Sequence, residues 1–172
     1  MEVVGCSHRG CDVCLACSSC GDSAIGSYCD IIVVGNIGNS FTLDCDKTKD
    51  DSVTVAEISS FQLETIVDFR PKVSAILNIT EDHLNRHHTM ENYIRMKLRI
   101  AENQSADDCC ILNYEDEALR DAAADIKSDI FFFSSKRKLD RGIFLDKDTI
   151  IIRDGKDISL IDTGDLQIIG EH

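Results

Sequence analysis

Val53-Thr54-Val55-Ala56-Glu57-Ile58-Ser59-Ser60-Phe61-Gln62-Leu63-Glu64 is the stretch whose reading decides the fold. Its first four residues make the short β-branched run expected of a buried strand. An acid follows, and Ser59 then opens a segment that reads as a helix start, with serine able to cap and an acid within the first turns. A strand that runs straight into a helix is the building unit of an α/β sheet.

Outward from this stretch the unit recurs. Ile31-Ile32-Val33-Val34 ends in Gly35, Val73 to Ile79 is a further apolar run, and Cys109–Leu112 and Asp129–Phe133 complete the series. Helical segments fall between them. Pro71, the only proline, stops the one begun at Ser59. Met90 to Asn103 places Tyr93, Ile94, Lys97 and Ile100 at helical spacing behind a capping Thr89, and Glu115 to Ala124 is an alanine-rich helix. The alternation predicts an α/β fold: a mostly parallel sheet flanked by helices and joined by right-handed crossovers. Beyond Ser135 the rhythm changes. Gly142–Leu145, Thr149–Arg153 and Ile158–Ile161 are short runs separated by Asp-Lys-Asp and Asp-Gly-Lys-Asp, which predicts a small antiparallel meander.

The 172 residues suit one domain with a respectable core, and a net charge of −13 argues against bulk nucleic acid or an anionic membrane as partner. One bound nucleotide is still compatible, because local dipoles and cations override the overall field. No apolar run reaches the roughly 20 residues that span a bilayer, and Met1 to Gly10 has no secretory core, so the expected location is the cytoplasm. Six of nine cysteines (Cys6, Cys11, Cys14, Cys17, Cys20, Cys29) crowd the first 29 residues. Composition breaks near residue 30, which divides the chain into a Cys-rich leader, 1–30, without regular periodicity, and a domain, 31–172.

Chemistry is concentrated where strands end, the place where open α/β sheets bind ligands. Glu57 is placed there to hold Mg²⁺ through oxygen, or to serve as a surface or helix-capping acid. Asn78-Ile79-Thr80-Glu81-Asp82-His83 follows the third run with five polar groups in six residues, which suits a ligand site or a solvated, capped loop. His83 alone reads as a packed or exposed histidine, and His87 and His88 as surface residues. Lys97 lies among Ile94, Leu98 and Ile100, where a lysine stem ordinarily packs while its amine snorkels outward. Gly35-Asn36-Ile37-Gly38 makes a turn at which backbone can approach a ligand closely.

Four segments taken together carry more than any one of them. V-V-G-N-I-G (33–38), V-A-E-I-S-S-F-Q-L-E (55–64), I-L-N-I-T-E-D-H-L-N-R-H (76–87) and Y-I-R-M-K-L-R-I-A-E-N (93–103) resemble, in order and spacing, the central P-loop-like ATP-binding domain of the Mur ligases. S-S-F-Q-L-E points to the D-glutamate-adding members rather than to other amide ligases such as the folylpolyglutamate type. The resemblance implies ATP and Mg²⁺ as cofactors, and UDP-N-acetylmuramoyl-L-alanine and D-glutamate as substrates. ATP would activate the muramyl carboxylate as an acyl phosphate, which the amine of D-glutamate attacks. By matching position, Glu57, His83 and Lys97 would serve the metal ions, Lys97 as a carbamate. His83 and Lys97 would be catalytic, and Asn36, Ser59 and Gln62 would contact the muramyl substrate. A monomer without nucleic-acid or membrane partners is expected.

One element of the family pattern is absent. No Gly-Lys-Ser/Thr occurs in the chain, so no residue is assigned to the phosphate cradle that the family places just before V-V-G-N-I-G. Ile169-Gly170-Glu171-His172 resembles the start of the family's G-x-H-N segment. The expectation is therefore a truncated, inactive central domain behind an aberrant leader. Alternatively, Cys11, Cys14, Cys17 and Cys20, a series of C-x-x-C units, would make the leader a metal-binding module.

Overall fold

The computed structural model describes residues 2–6, 31–36, 38–49 and 52–165. Among the described residues nine strands form one sheet: β1 Glu2–Cys6, β2 Ile31–Gly35, β3 Val53–Glu57, β4 Val73–Ile76, β5 Cys109–Asn113, β6 Asp129–Ser134, β7 Gly142–Asp146, β8 Thr149–Arg153 and β9 Asp157–Asp162. Their order is β2-β3-β1-β4-β5-β6-β7-β8-β9. The helices are α1 Phe41–Asp44, α2 Ser60–Leu63, α3 Leu84–His87, α4 Met90–Leu98 and α5 Glu117–Ala122.

The parallel strands match the alternation in the sequence: β2 pairs with β3, and β4 through β7 run side by side in one direction. β8 and β9 then turn back antiparallel, the expected meander. Among the described residues no helix is long and apolar enough to cross a membrane.

The fold departs from the sequence reading in two places. Glu2–Cys6, within the leader read as lacking regular structure, is a strand between β3 and β4, antiparallel to both. With β3 and β4 both paired to it, neither presents an open ladder to the other, and backbone donors and acceptors on both sides are satisfied. The remaining cysteines of the leader, Cys11, Cys14, Cys17, Cys20 and Cys29, lie outside the described residues. The helices are also shorter than their periodicity suggests. α4 stops at Leu98 and tightens into a 3₁₀ turn over Arg99–Ala101, and α5 does the same over Ala123–Asp125. Such turns commonly close helix ends.

The larger core lies on one face of the sheet. Val34, Ala56, Ile76, Cys110 and Leu112 from the strands meet Leu63 of α2, Ile100 beyond α4 and Leu119 of α5. Residues of opposite parity, Ala75, Ile111 and Phe131, form a smaller cluster on the other face with Ile143 and Ile152. α2, α4 and α5 are thus packed on that face of the sheet.

Candidate functional site

β2 and β3 end together in a tight junction. Gly35 adopts φ +102°, and a Cβ there would stand 2.1 Å from the carbonyl oxygen of Glu57, so glycine is required. The chain can then turn so that Asn36 N–H donates to the Glu57 carbonyl at 2.8 Å and Asn36 Nδ2 donates to Glu57 Oε1 at 3.2 Å. Asn36 is exposed and Glu57 half-buried. The motif V-V-G-N and the acid closing V-T-V-A-E therefore meet in space.

Two residues further, Ser59 is the N-cap of α2, and Gln62 completes a capping box. Gln62 N–H donates to Ser59 Oγ at 3.4 Å, while Ser59 N–H donates to Gln62 Oε1 at 2.8 Å. Both residues have a structural task that explains their spacing without a ligand. Gln62 is exposed and Ser59 half-buried at the same sheet edge as Glu57.

His83 precedes α3 with φ +53°, a left-handed conformation uncommon outside glycine. Its imidazole is about half exposed, 3.3 Å from Asp82 Oδ2, and lies against the Phe61 ring at 4.8 Å between centroids. Lys97 behaves differently from the snorkelling expected of it. The residue is 5% exposed, and its Nζ stands 5.1 Å from the centroid of Tyr93. A lysine buried in this way, with its amine over a ring face, is held in one place instead of sampling solvent.

His87, read from sequence as a surface residue, is instead buried at 5% exposure. It shares a 3.0 Å hydrogen bond with the buried Ser60, stacks on Phe61 at 5.6 Å, and meets Tyr93 at 5.3 Å. A four-residue helix is too short to show a periodicity that would have revealed its inward face. His88 is exposed, as read.

Two more residues escaped the sequence reading. Asp116 caps α5 through Leu119 N–H at 3.3 Å and also accepts the Ile79 N–H at 2.7 Å. Asn113 donates to the Leu77 carbonyl at 2.9 Å. Together they tie the polar loop after β4 to the end of β5. The capping signature of Asp116 ahead of Glu117 and Leu119 was a signal available in the sequence.

Among the described residues no group of three or more His, Cys, Asp or Glu side chains could by itself hold a metal ion. That does not disqualify Glu57 for Mg²⁺. Magnesium keeps several waters and is usually bound by one or two carboxylates plus substrate phosphates, not by an all-protein cage. A half-buried carboxylate at a strand end, steadied by one amide donor, suits that role.

A strand-end cluster of this kind, on a mostly parallel sheet with a β meander, defines an α/β domain with its accessible polar groups at one sheet edge. The profile described as the Mur ligase middle domain matches residues 32–172, and the chain belongs to that family. Within it, the chain is 58% identical over 146 residues to the UDP-N-acetylmuramoylalanine–D-glutamate ligase of Lachnoclostridium phytofermentans, covering 84% of this chain and 32% of that one. It is 48% identical over 143 residues to the ligase of the same name in Clostridioides difficile, covering 83% and 32%. The chain thus spans about a third of the length of these curated relatives. Among solved structures, the MurF ligase of Thermotoga maritima in complex with ADP superposes with TM-score 0.55 at 16% identity, over 74% of this chain and 32% of that one. A UDP-N-acetylmuramoyl-L-alanyl-D-glutamate–2,6-diaminopimelate ligase gives 0.55 at 20%, over 77% and 33%. These likenesses are of fold.

Proposed function

We propose that this chain carries the metal- and muramyl-binding part of an ATP-dependent ligase that adds D-glutamate to UDP-N-acetylmuramoyl-L-alanine in the cytoplasmic synthesis of peptidoglycan precursors. The observation that carries the reading is the burial of Lys97 against Tyr93. A lysine kept for solubility has no need of burial, whereas one that serves a bound metal ion has to be held in place.

In this reading Glu57 and Lys97, as a carbamate, would supply oxygen ligands and His83 an imidazole. Bound Mg²⁺ would offset charge on the transferring phosphoryl group, the main electrostatic need of such chemistry. Asn36 holds Glu57 in place and, with Ser59 and Gln62, faces the muramyl substrate. The muramyl carboxylate would take the terminal phosphoryl of ATP, its P–O bond breaking as ADP leaves. The amine of D-glutamate then attacks the carbonyl carbon, the C–N bond forms and phosphate leaves.

The 172 residues contain no Gly-Lys-Ser/Thr, so the chain by itself is expected not to turn over. Phosphate release with ATP, Mg²⁺, UDP-N-acetylmuramoyl-L-alanine and D-glutamate should stay at background, and turnover above it would refute this point. The positive test is a chimera in which residues 32–165 replace the matching segment of the Lachnoclostridium phytofermentans ligase. D-Glutamate addition retained by the chimera and lost on Lys97→Met supports the reading. A soluble, folded chimera without activity, or a Lys97→Met form as active as its parent, sinks it.

A further inference from the structure

We propose that His87 is a positioning residue whose buried imidazole, wedged between Phe61 and Tyr93, sets the places of His83 and Lys97 at once. The two residues come from different elements, the turn before α3 and the last turn of α4, and each touches an aromatic ring. His83 lies on Phe61 at 4.8 Å, and Lys97 Nζ stands over Tyr93 at 5.1 Å. Those rings are both packed on His87, Phe61 nearly parallel to it at 22° and Tyr93 tilted by 33°. A shift of the imidazole therefore moves both supports.

The imidazole is itself anchored. Its side chain is 3% exposed, Nε2 shares the 3.0 Å hydrogen bond with Ser60, and Nδ1 lies 3.8 Å from Glu64 Oε1. Ser60 is the first residue of α2, three positions after Glu57. The hydrogen bond thus ties the aromatic layer to the helix that begins at the β3 end. A buried polar ring with a partner for Nε2 has a defined orientation, which a hydrophobic residue of similar size would lack. In other ring-supported sites, supporting residues fix first contacts in the same manner.

The assignment of a task to His83 and Lys97 rests on the function proposed above; the positioning itself does not. Both can be read by NMR on the 172-residue chain labelled at the lysine ε-carbons, with the Lys97 signal identified by its loss in Lys97→Arg. Over a ring face, the Lys97 ε-CH₂ should resonate upfield of the exposed lysines. In His87→Ala this displacement should fall by at least half and the His83 ring signals should move, with the Leu112 and Leu119 methyl signals unchanged. Unchanged Lys97 and His83 signals in a folded His87→Ala overturn the proposal. Should that variant lose its core methyl signals, Ser60→Ala decides. It removes only the hydrogen bond, and it should move both signals in the same direction by a smaller amount; no movement overturns the proposal. Exposure to ¹³CO₂ separates the two ideas. Wild type that shows the ring shifts but takes up no label at Lys97 leaves the positioning intact and removes the carbamate reading.

Discussion

At the amino ends of β4, β5 and β6, Ser74, Gln104, Asp108 and Ser128 are all buried, and each is bonded within the protein. Gln104 Oε1 accepts from Ser74 at 3.1 Å and Ser128 at 2.9 Å, while its Nε2 donates to the carbonyls of Pro71 and Cys109, both at 3.0 Å. Asp108 receives Arg70, Lys72 and the Ser105 N–H at 2.7, 2.9 and 2.8 Å. At the carboxyl ends of β2 and β3 the same kinds of group are left open. Glu57 takes a single amide at 3.2 Å, and Asn36, Gln62 and His83 are exposed. One end of the sheet uses its polar groups to close the fold and the other leaves them accessible to solvent. Ser60, His87 and Lys97 are the exceptions at the open end, buried polar groups in an otherwise accessible region.

The sharpest way to break this contrast is to disturb the closed end. Gln104→Ala removes four hydrogen bonds at a site 2% exposed and leaves two hydroxyls and two carbonyls without that partner. A loss of about 4 kcal/mol in urea unfolding is expected, since unmet buried groups cost about 1–3 kcal/mol each and relaxation recovers part. A loss under 1 kcal/mol would mean that the cluster does not close the fold.

Gly35→Ala strikes the junction at the open end. Its Cβ would meet the Glu57 carbonyl in a backbone conformation that L residues avoid, so about 2–3 kcal/mol is expected. The displaced turn should also release the Asn36 contact to Glu57, visible as a shift of the Asn36 side-chain amide signal.

Asp108 gives a test in pH. Burial alone would raise its carboxyl, but hydrogen bonds from Arg70, the Ser105 N–H and Lys72 hold it well below the ordinary 3.8. A depressed folded pKa gives stability that is present above the unfolded value and lost as pH falls toward the folded one. Asp108→Asn should therefore cost about 2 kcal/mol at pH 7, less than a fully buried pair because both cations are half exposed. The gap between variant and parent should narrow as pH drops below about 4. A gap that is constant from pH 7 to pH 3 would show that charge is not what Asp108 contributes.

Strand positions and the meander were legible in the sequence because β-branched runs and turn residues report on the local chain. Glu57, Asn36 and Lys97 stand out as candidates only as members of a spaced series, since an acid, an amide or a lysine has many uses. His87 was not legible. Its burial depends on Ser60, Phe61 and Tyr93, which converge from two other elements, and no local pattern carries that. The closed end was invisible for the same reason, since Gln104 reaches partners 24 to 33 residues away.

Ser59 has the smallest expected effect and separates the two uses of polar groups within one residue. Its hydroxyl caps α2, and Ser59→Ala should cost about 1 kcal/mol through the lost cap. Ser59→Asn keeps a capping side chain and should restore that stability, because asparagine is as good an N-cap as serine. If capping is all the residue does, Ser59→Asn in the chimeric ligase will match its parent in the KM for UDP-N-acetylmuramoyl-L-alanine. The open-end reading predicts instead that stability returns while KM stays raised several-fold, since a larger amide occupies the place from which the hydroxyl meets the substrate. Equal KM values in two equally stable proteins would move Ser59 from the group of residues held ready for a ligand to those that close the fold.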